Sequence, residues 1–156
     1  MRDFLRRRLV EPVLALLRQG LSPDKLALSL ACGVGCGLFP VLGATTILCT
    51  IVALALRLNL PAIQLVNYLL SPLQVLLIIP FTRVGEKLVG AVPQPLSIKA
   101  ALALIDSGII RAVTVLGDAI FHASIAWIVI GPAAIWLLYQ GLRPMLRRVA
   151  KQQEAR

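Results

Sequence analysis

A small set of polar and positively charged residues interrupts the long apolar stretches of this sequence. Arg57 and Asn59 stand between two such stretches, and Arg83 ends the second one. Hydroxyl and amide side chains lie within the stretches, namely Thr45, Thr46, Ser71 and Gln74. Such groups beside a helix start can bind a phosphate or carboxylate, because the N–H groups of the first turn lack partners. The set therefore predicts binding of a small anion or an anionic headgroup.

The same residue types do not form a recognisable catalytic arrangement. No two carboxylates lie close together within one apolar stretch, and no Ser, His and Asp set has suitable spacing. His122 follows Asp118 by one helical turn, which fits either a proton relay or an interfacial histidine capped by Asp118. Cys32, Cys36 and Cys49 lack the further ligands of a metal site and are expected to pack as small apolar residues. We expect no enzyme, no metal and no cofactor.

The elements that carry these residues are predicted to lie in a membrane. Hydrophobic residues make up 58% of the chain, and its mean hydropathy is +0.86. Uncharged runs of 31, 25 and 24 residues cover 26–56, 58–82 and 119–142. About 20 apolar residues are enough for a helix to cross a bilayer. The sequence therefore predicts an all-α integral membrane protein that folds as a small helical bundle.

The charge distribution supports this interpretation. The formal net charge is +9, and the basic residues are densest at the two ends of the chain, next to apolar runs. A nucleic-acid-binding protein is also basic, but this placement is typical of the cytoplasmic ends of membrane proteins. We predict cytoplasmic termini, contact with anionic lipids and no nucleic acid. The expected parts are a basic amphipathic helix over 1–20, a membrane domain over 21–142 and a basic cytoplasmic tail over 143–156.

The first apolar run is too long for one straight crossing. As a single helix it would measure about 46 Å, whereas the hydrocarbon core is about 30 Å thick. Phe39-Pro40 predicts a break that leaves helices over 23–38 and 44–57. Ser22 is a good N-cap for the first of these, followed by Pro23 and Asp24 in the first turn.

The second apolar run contains a similar signal. Ser71 is a candidate N-cap, Pro72 would be the first helical residue, and Gln74 would complete a capping box. The piece before it begins near Asn59 and Pro61. The two breaks predict two Pro- and Gly-broken helical hairpins, which are either re-entrant or kinked spans.

The remainder predicts one C-terminal transmembrane helix over 119–142, kinked at Pro132, with Trp136 and Tyr139 at an interface. Residues 83–118 predict amphipathic interfacial helix, broken near 106–108. Two topologies remain open. Either the first two runs cross once in total, so that 83–118 faces the other side, or every run is a hairpin that returns to the cytoplasmic side.

The glycine-rich stretch before Phe39 predicts close helix packing. Small residues recur four apart as Ala31/Gly35, Cys32/Cys36 and Gly33/Gly37. Such spacing lets helix backbones approach each other, either within the chain or in a homo-oligomer.

These features resemble a known bacterial family, the one called domain of unknown function 2062. The resemblance rests on Gly33, Gly37, Phe39-Pro40, Gly43, Arg57-Leu58-Asn59-Leu60-Pro61, Ser71-Pro72, Pro80 and Gly85. The family usually has Asn-Pro with Thr two residues on, where this chain has Ser71-Pro72 with Gln74. The resemblance implies a small multi-pass protein of the bacterial inner membrane. Its related modules sometimes accompany glycosyltransferase domains, which implies lipid-linked envelope chemistry and partners in envelope biogenesis.

Together these observations predict a transporter or lipid-handling protein. An anionic headgroup or small anion would bind at the paired broken helices, next to Pro40, Gly43, Thr45, Thr46, Arg57, Asn59, Ser71, Pro72, Gln74 and Arg83. The alternative is an accessory or scaffold membrane protein of envelope biogenesis that has neither ligand nor catalytic activity.

Overall fold

The computed structural model describes residues 22–93 and 109–154. Within these residues all regular structure is helical, and there is no strand. The helices are α1 (Pro23–Gly37), α2 (Ala44–Ala55), α3 (Leu60–Val89) and α4 (Ile109–Glu154). By length and composition α3 and α4 could each cross a membrane, whereas α2 is apolar but shorter. The prediction of an all-helical bundle is confirmed, and the predicted helix over 1–20 lies outside the described residues.

Helices α1 and α2 form an antiparallel hairpin around the predicted break. Ser22 caps α1 by accepting a hydrogen bond from the Lys25 N–H. The chain then leaves the helix after Gly37 and starts α2 after Gly43. Beyond the end of α2, the Asn59 N–H donates to Ser29 Oγ at 3.0 Å, at the middle of α1. The end of α2 is therefore held against α1.

Helix α3 overturns the second predicted break. It runs without interruption for 30 residues and contains both Pro72 and Pro80. Ser71 is therefore not an N-cap, and its hydroxyl donates to the Asn67 carbonyl at 3.3 Å. A serine or threonine hydroxyl can bond to a carbonyl one turn back, so the Ser-Pro pair fits inside a helix as well as at its start. A capping box is a local pattern. Tertiary packing decides whether a helix starts at Ser71 or continues through it.

Helix α4 corrects the expected division of the C-terminal half. Residues 109–118 continue directly into the predicted span, and 83–89 belong to the end of α3. They are not separate interfacial helices, and residues 94–108 lie outside the described part. The helix also continues past residue 142 to Glu154.

Helix α4 runs antiparallel to both α1 and α3. Near its start the His122 backbone meets Gly85 of α3, and near its end Leu146 packs against Leu26 and Ala62. The start of α1 and the end of α4 therefore lie at the same end of the bundle. The end of α3 lies at the other.

The glycines of α1 create the close approach that their spacing predicted. A Cβ at Gly33 would lie 2.9 Å from Val66 Cβ, and one at Gly37 would lie 3.0 Å from Asn67 Cα, both on α3. A Cβ at Gly35 would overlap Ile135 of α4. These glycines are used for packing within the chain. The three cysteines are buried, and Cys32, Cys36 and Cys49 lie in one core cluster with Ala53 and Ile63.

The outer surface of the bundle is strongly apolar. Ile47, Ile51 and Leu54 follow one face of α2 and are each more than half exposed. Leu76 on α3 and Leu137 on α4 are similarly exposed. An uninterrupted apolar exterior of this kind is unusual for a protein surrounded by water.

Candidate functional site

The break between α1 and α2 is held by side chains from the other two helices. The Gln74 Nε2 group of α3 donates to the Phe39 carbonyl at 2.7 Å. The Trp127 Nε1 group of α4 donates to the Gly35 carbonyl at 2.8 Å, and its ring makes an edge contact with Phe39 at 5.0 Å. A break leaves carbonyls without helical partners. Gln74 and Trp127 satisfy two of these from outside the hairpin.

Pro40 and Gly43 have structural roles in this break. Pro40 is fully buried among the helices. Gly43 is the N-cap of α2 and has φ = 84°, in the left-handed region that favours glycine. A Cβ built on Gly43 would have no neighbour within 4 Å. The backbone angle, rather than crowding, explains the glycine.

A polar cluster joins the first turns of α2 to α3. Gln64 Nε2 donates to the Thr46 carbonyl and to Thr50 Oγ1, both at 3.0 Å. Asn67 Nδ2 donates to Gln64 Oε1 at 3.0 Å. Asn67 is almost fully buried, and its Oδ1 atom has no hydrogen-bond partner. The cluster lies beside the break, on the α3 face that also carries Gln74.

Sequence reasoning missed Gln64, Thr50 and Asn67 in this cluster. A signal was available, because Gln64, Asn67, Ser71 and Gln74 follow one another at spacings of three and four residues. That spacing places them on one face of a helix. These residues share one face only in a helix that continues through Ser71-Pro72, whereas the local capping pattern predicts a break there.

The first turn of α2 lacks a side-chain cap. Gly43 supplies none, whereas Ser22 caps α1 and Asn59 caps α3. Thr45 and Thr46 follow in the first turn, and Thr45 is buried while Gly43 is exposed. The Ala44 N–H donates to the Val41 carbonyl at 3.3 Å. The following first-turn N–H groups have no side-chain cap and lie next to the polar cluster, which is an arrangement that anions favour.

Arg57 and Asn59 lie at the opposite end of α2, about 18 Å from its start. Asn59 is the N-cap of α3, as predicted, and accepts from the Ala62 N–H at 2.8 Å. Arg57 is exposed and has φ = 51°, although it is not a glycine. Its N–H and that of Leu58 close the end of α2 on the Leu54 and Ala53 carbonyls. This is a Schellman-type end in which glycine is the usual residue.

Arg83 lies near the other end of α3, where it pairs with Glu86 at 2.9 Å. Sequence reasoning missed Glu86, whose side chain is only 2% exposed. Gly85 beside it lets α4 approach so closely that an added Cβ would overlap the His122 carbonyl. His122 Nδ1 lies 2.7 Å from the backbone carbonyl of Asp118. The expected cap is therefore made by the main chain of Asp118.

The predicted site residues consequently separate into three groups. The group at the break comprises Pro40, Gly43, Thr45, Thr46 and Gln74. Arg57 and Asn59 form a second group at the far end of α2, and Arg83 forms a third near the end of α3. Ser71 and Pro72 lie inside α3, next to the first group. The structure does not bring the two arginines to the break, and their role in binding stays a prediction.

A further charged cluster lies at the start of α1. Arg147 contacts Asp24 through Nε at 2.8 Å and Nη2 at 2.6 Å, and Arg143 Nε contacts it at 3.1 Å. The Arg147 hydrogen bonds, supported by Arg143, lower the pKa of the Asp24 carboxyl from 3.8 to about 2. The predicted tail over 143–156 therefore begins as part of α4, and its first arginines form ion pairs with α1.

The fold is that of an all-helical bundle with an apolar exterior and two helices of membrane-crossing length. A family described as "Uncharacterized protein conserved in bacteria (DUF2062)" matches residues 6–155, and the chain belongs to this family. The match confirms the resemblance seen in the sequence. No curated protein and no solved structure matches the chain.

Proposed function

We propose that the protein is a lipid-handling integral membrane protein of the bacterial inner membrane. In this proposal α3 and α4 cross the bilayer, and the α1–α2 hairpin enters and leaves on one side. With 15 and 12 residues, α1 and α2 measure about 22 and 18 Å, which is shorter than a core of about 30 Å. The contact between Asn59 and Ser29 holds the end of α2 against α1.

This arrangement has two full crossings, so both termini lie on the same side. The basic residues at the start of α1 and the end of α4 make that side cytoplasmic. The connection between α3 and α4 then faces the periplasm. This is the first of the two topologies that the sequence left open.

The uncapped start of α2 carries the functional part of the proposal. The N–H groups and the hydroxyls of Thr45 and Thr46 would bind the phosphate of an anionic headgroup or a small anion. The observation behind this is the missing cap at Gly43 in a chain whose other fully described helix starts are capped. The geometry supports binding rather than transport, because continuous α3 provides no second broken hairpin to alternate with the first.

A substitution at Ala44 tests this site without weakening the helix. Ala44→Asp places a carboxylate in the first turn, where it favours the helix dipole and repels an anion. Ala44→Asn is the matched neutral control. Phosphatidylglycerol in nonionic micelles, and separately sodium phosphate, would be titrated into the full chain. Fluorescence of Trp127, which touches Phe39, would be followed in a Trp136→Phe background.

We expect Ala44→Asp to weaken binding about tenfold while thermal stability is kept or raised, and Ala44→Asn to bind like the parent. A response to sodium phosphate equal to the lipid response would identify a small anion as ligand. Equal binding by the Asp and Asn variants would refute the site.

The alternative, an accessory or scaffold protein, is favoured by a specific observation. Gln74 and Gln64 are already engaged with the Phe39 and Thr46 carbonyls, so these amides have a structural explanation without a ligand. Lipid analysis of a deletion strain separates the two candidates. A changed lipid or lipid-carrier profile, restored by the parent chain and not by Ala44→Asp, supports lipid handling. An unchanged profile supports the scaffold.

A further inference from the structure

A cavity of about 390 Å³ lies on the surface where the last turns of α4 pass the start of α1. It is lined by Pro23, Arg147, Arg148, Ala150 and Lys151. Three of these five residues are cations. The N-terminus of α1, the positive end of that helix, also faces this region. The cavity is therefore electropositive and large enough to accept a phosphate with its attached glycerol.

The carboxylate that contacts the arginines of this region, Asp24, does not neutralise the cavity. Asp24 is engaged by Arg143 and Arg147. Among the described residues, neither Arg148 nor Lys151 has an acidic partner. Arg148 and Lys151 are three positions apart on α4, so their side chains project to adjacent parts of the same helix surface. The cavity thus keeps two cations available for a ligand.

We propose that this cavity binds the phosphate group of an anionic phospholipid. Arginine and lysine bind phosphate through charge-assisted hydrogen bonds, and arginine can bind two of its oxygens. The inference depends on the proposed membrane placement. It does not depend on the site at the start of α2, which lies about 22 Å away along α1.

A lipid fits this position better than a soluble anion because exposed apolar side chains precede the cavity on α4, namely Trp136, Leu137 and Met145. Trp136 and Arg147 are eleven residues apart, three helical turns, and therefore lie on nearly the same face of α4. Trp136 is 60% exposed and lies about 16 Å from Arg147 along the axis of α4. A phospholipid with its phosphate in the cavity would lay its acyl chains along this face.

The segment that precedes α1 is a poor alternative occupant. Residues 1–21 carry five arginines and two carboxylates. Their net charge has the same sign as the cavity. An anionic lipid carries the charge opposite to that of the cavity, whereas this segment carries a charge of the same sign.

Quenching of Trp136 by brominated lipids provides the test. The full chain is reconstituted in vesicles of phosphatidylcholine with increasing brominated phosphatidylglycerol, and in parallel with brominated phosphatidylcholine. The quenching gives the association constant of one lipid relative to the other. Trp127 is replaced by phenylalanine in every variant, because it lies at the break and would also report binding at the start of α2. Four variants are compared with the parent. They are Arg148→Gln, Lys151→Gln, the double variant that carries both substitutions, and Arg148→Lys. The matched control is Lys87→Gln, which removes one exposed cation from α3 at the other end of the bundle.

We expect each Gln substitution in the cavity to lower the relative association constant of phosphatidylglycerol about fivefold, and the pair about 25-fold. Arg148→Lys should keep the preference, and Lys87→Gln should leave it unchanged. Ala44→Asp should also leave it unchanged, which separates this site from the one at α2.

Three outcomes would overturn the proposal. The first is an unchanged preference in the Arg148→Gln/Lys151→Gln pair. The second is an equal loss in Lys87→Gln, which would indicate attraction by overall charge. The third is displacement of the lipid by millimolar inorganic phosphate, which would indicate a soluble anion as the ligand.

Discussion

Replacing Gln74 by leucine should loosen the break between α1 and α2. The Gln74 amide is the only described side-chain donor to the Phe39 carbonyl, at 2.7 Å, and Gln74 is 3% exposed. Leucine is similar in size and removes the donor, so the carbonyl is left buried without a partner. A buried carbonyl in this condition costs about 1–3 kcal/mol. We therefore expect the free energy of unfolding to fall by about 2 kcal/mol, which is about 30-fold in the equilibrium constant.

The assay is unfolding of the purified protein in mixed micelles by increasing fractions of sodium dodecyl sulfate, followed by far-ultraviolet circular dichroism. Near-ultraviolet circular dichroism adds a local signal, because Trp127 packs against Phe39. Gln140→Leu is the matched control, since Gln140 is exposed on α4. Exposed substitutions of this kind usually change stability by less than about 0.5 kcal/mol.

An equal loss of stability in Gln74→Leu and Gln140→Leu would refute this role of Gln74. That result would mean that the Phe39 carbonyl has another partner, such as water entering from the surface. A large cost with an unchanged Trp127 signal would also contradict it. In that case the loss would have arisen away from the break.

Two further predictions concern contacts between helices. Gly85→Ala adds a methyl group that overlaps the His122 carbonyl, so α3 and α4 must separate and stability should fall by about 1–3 kcal/mol. A Cβ at Gly141 meets open space, so Gly141→Ala should raise the free energy of unfolding by up to about 1 kcal/mol through helix propensity. Equal changes in stability for Gly85→Ala and Gly141→Ala would contradict the close contact at Gly85. The pKa of Asp24 is lower in the folded state, so its pairing should stabilise the fold above about pH 4 and lose this effect towards pH 2. Thermal unfolding of the parent and Asp24→Asn in nonionic detergent should therefore differ at neutral pH and converge near pH 2. A constant difference would mean that Asp24 does not titrate as proposed.

Local sequence signals predicted the stretch from Ser22 to Asn59 well. The cap at Ser22, the break after Gly37 and the cap at Asn59 all lie where expected, because each depends on a few neighbouring residues. Glycine spacing also predicted close helix approach. The family was recognisable from the order of its prolines and glycines, and the match confirms it.

The predictions that failed concern residues with two local solutions. Ser71-Pro72 can start a helix or lie within one, and the sequence around it does not decide. In the structure the neighbouring face of α3 carries Gln64, Asn67 and Gln74 towards α2 and the break. A break at Ser71 would change where Gln74 lies relative to Gln64 and Asn67, and Gln74 is the residue that bonds to the Phe39 carbonyl. That contact spans 35 residues of the chain and is made from the continuous helix.

The sequence by itself determined that this is an apolar helical protein with a broken first run and basic ends. Composition, charge position and capping residues act locally, so they can be interpreted without knowing what lies nearby in space. Only the tertiary structure decided that Gln74 and Trp127 satisfy the break, and that Arg57 and Arg83 lie away from it. It also placed Arg147 against Asp24, 123 residues apart in the chain. These facts depend on how the helices pack against one another, and the spacing of residues along the chain does not specify that packing.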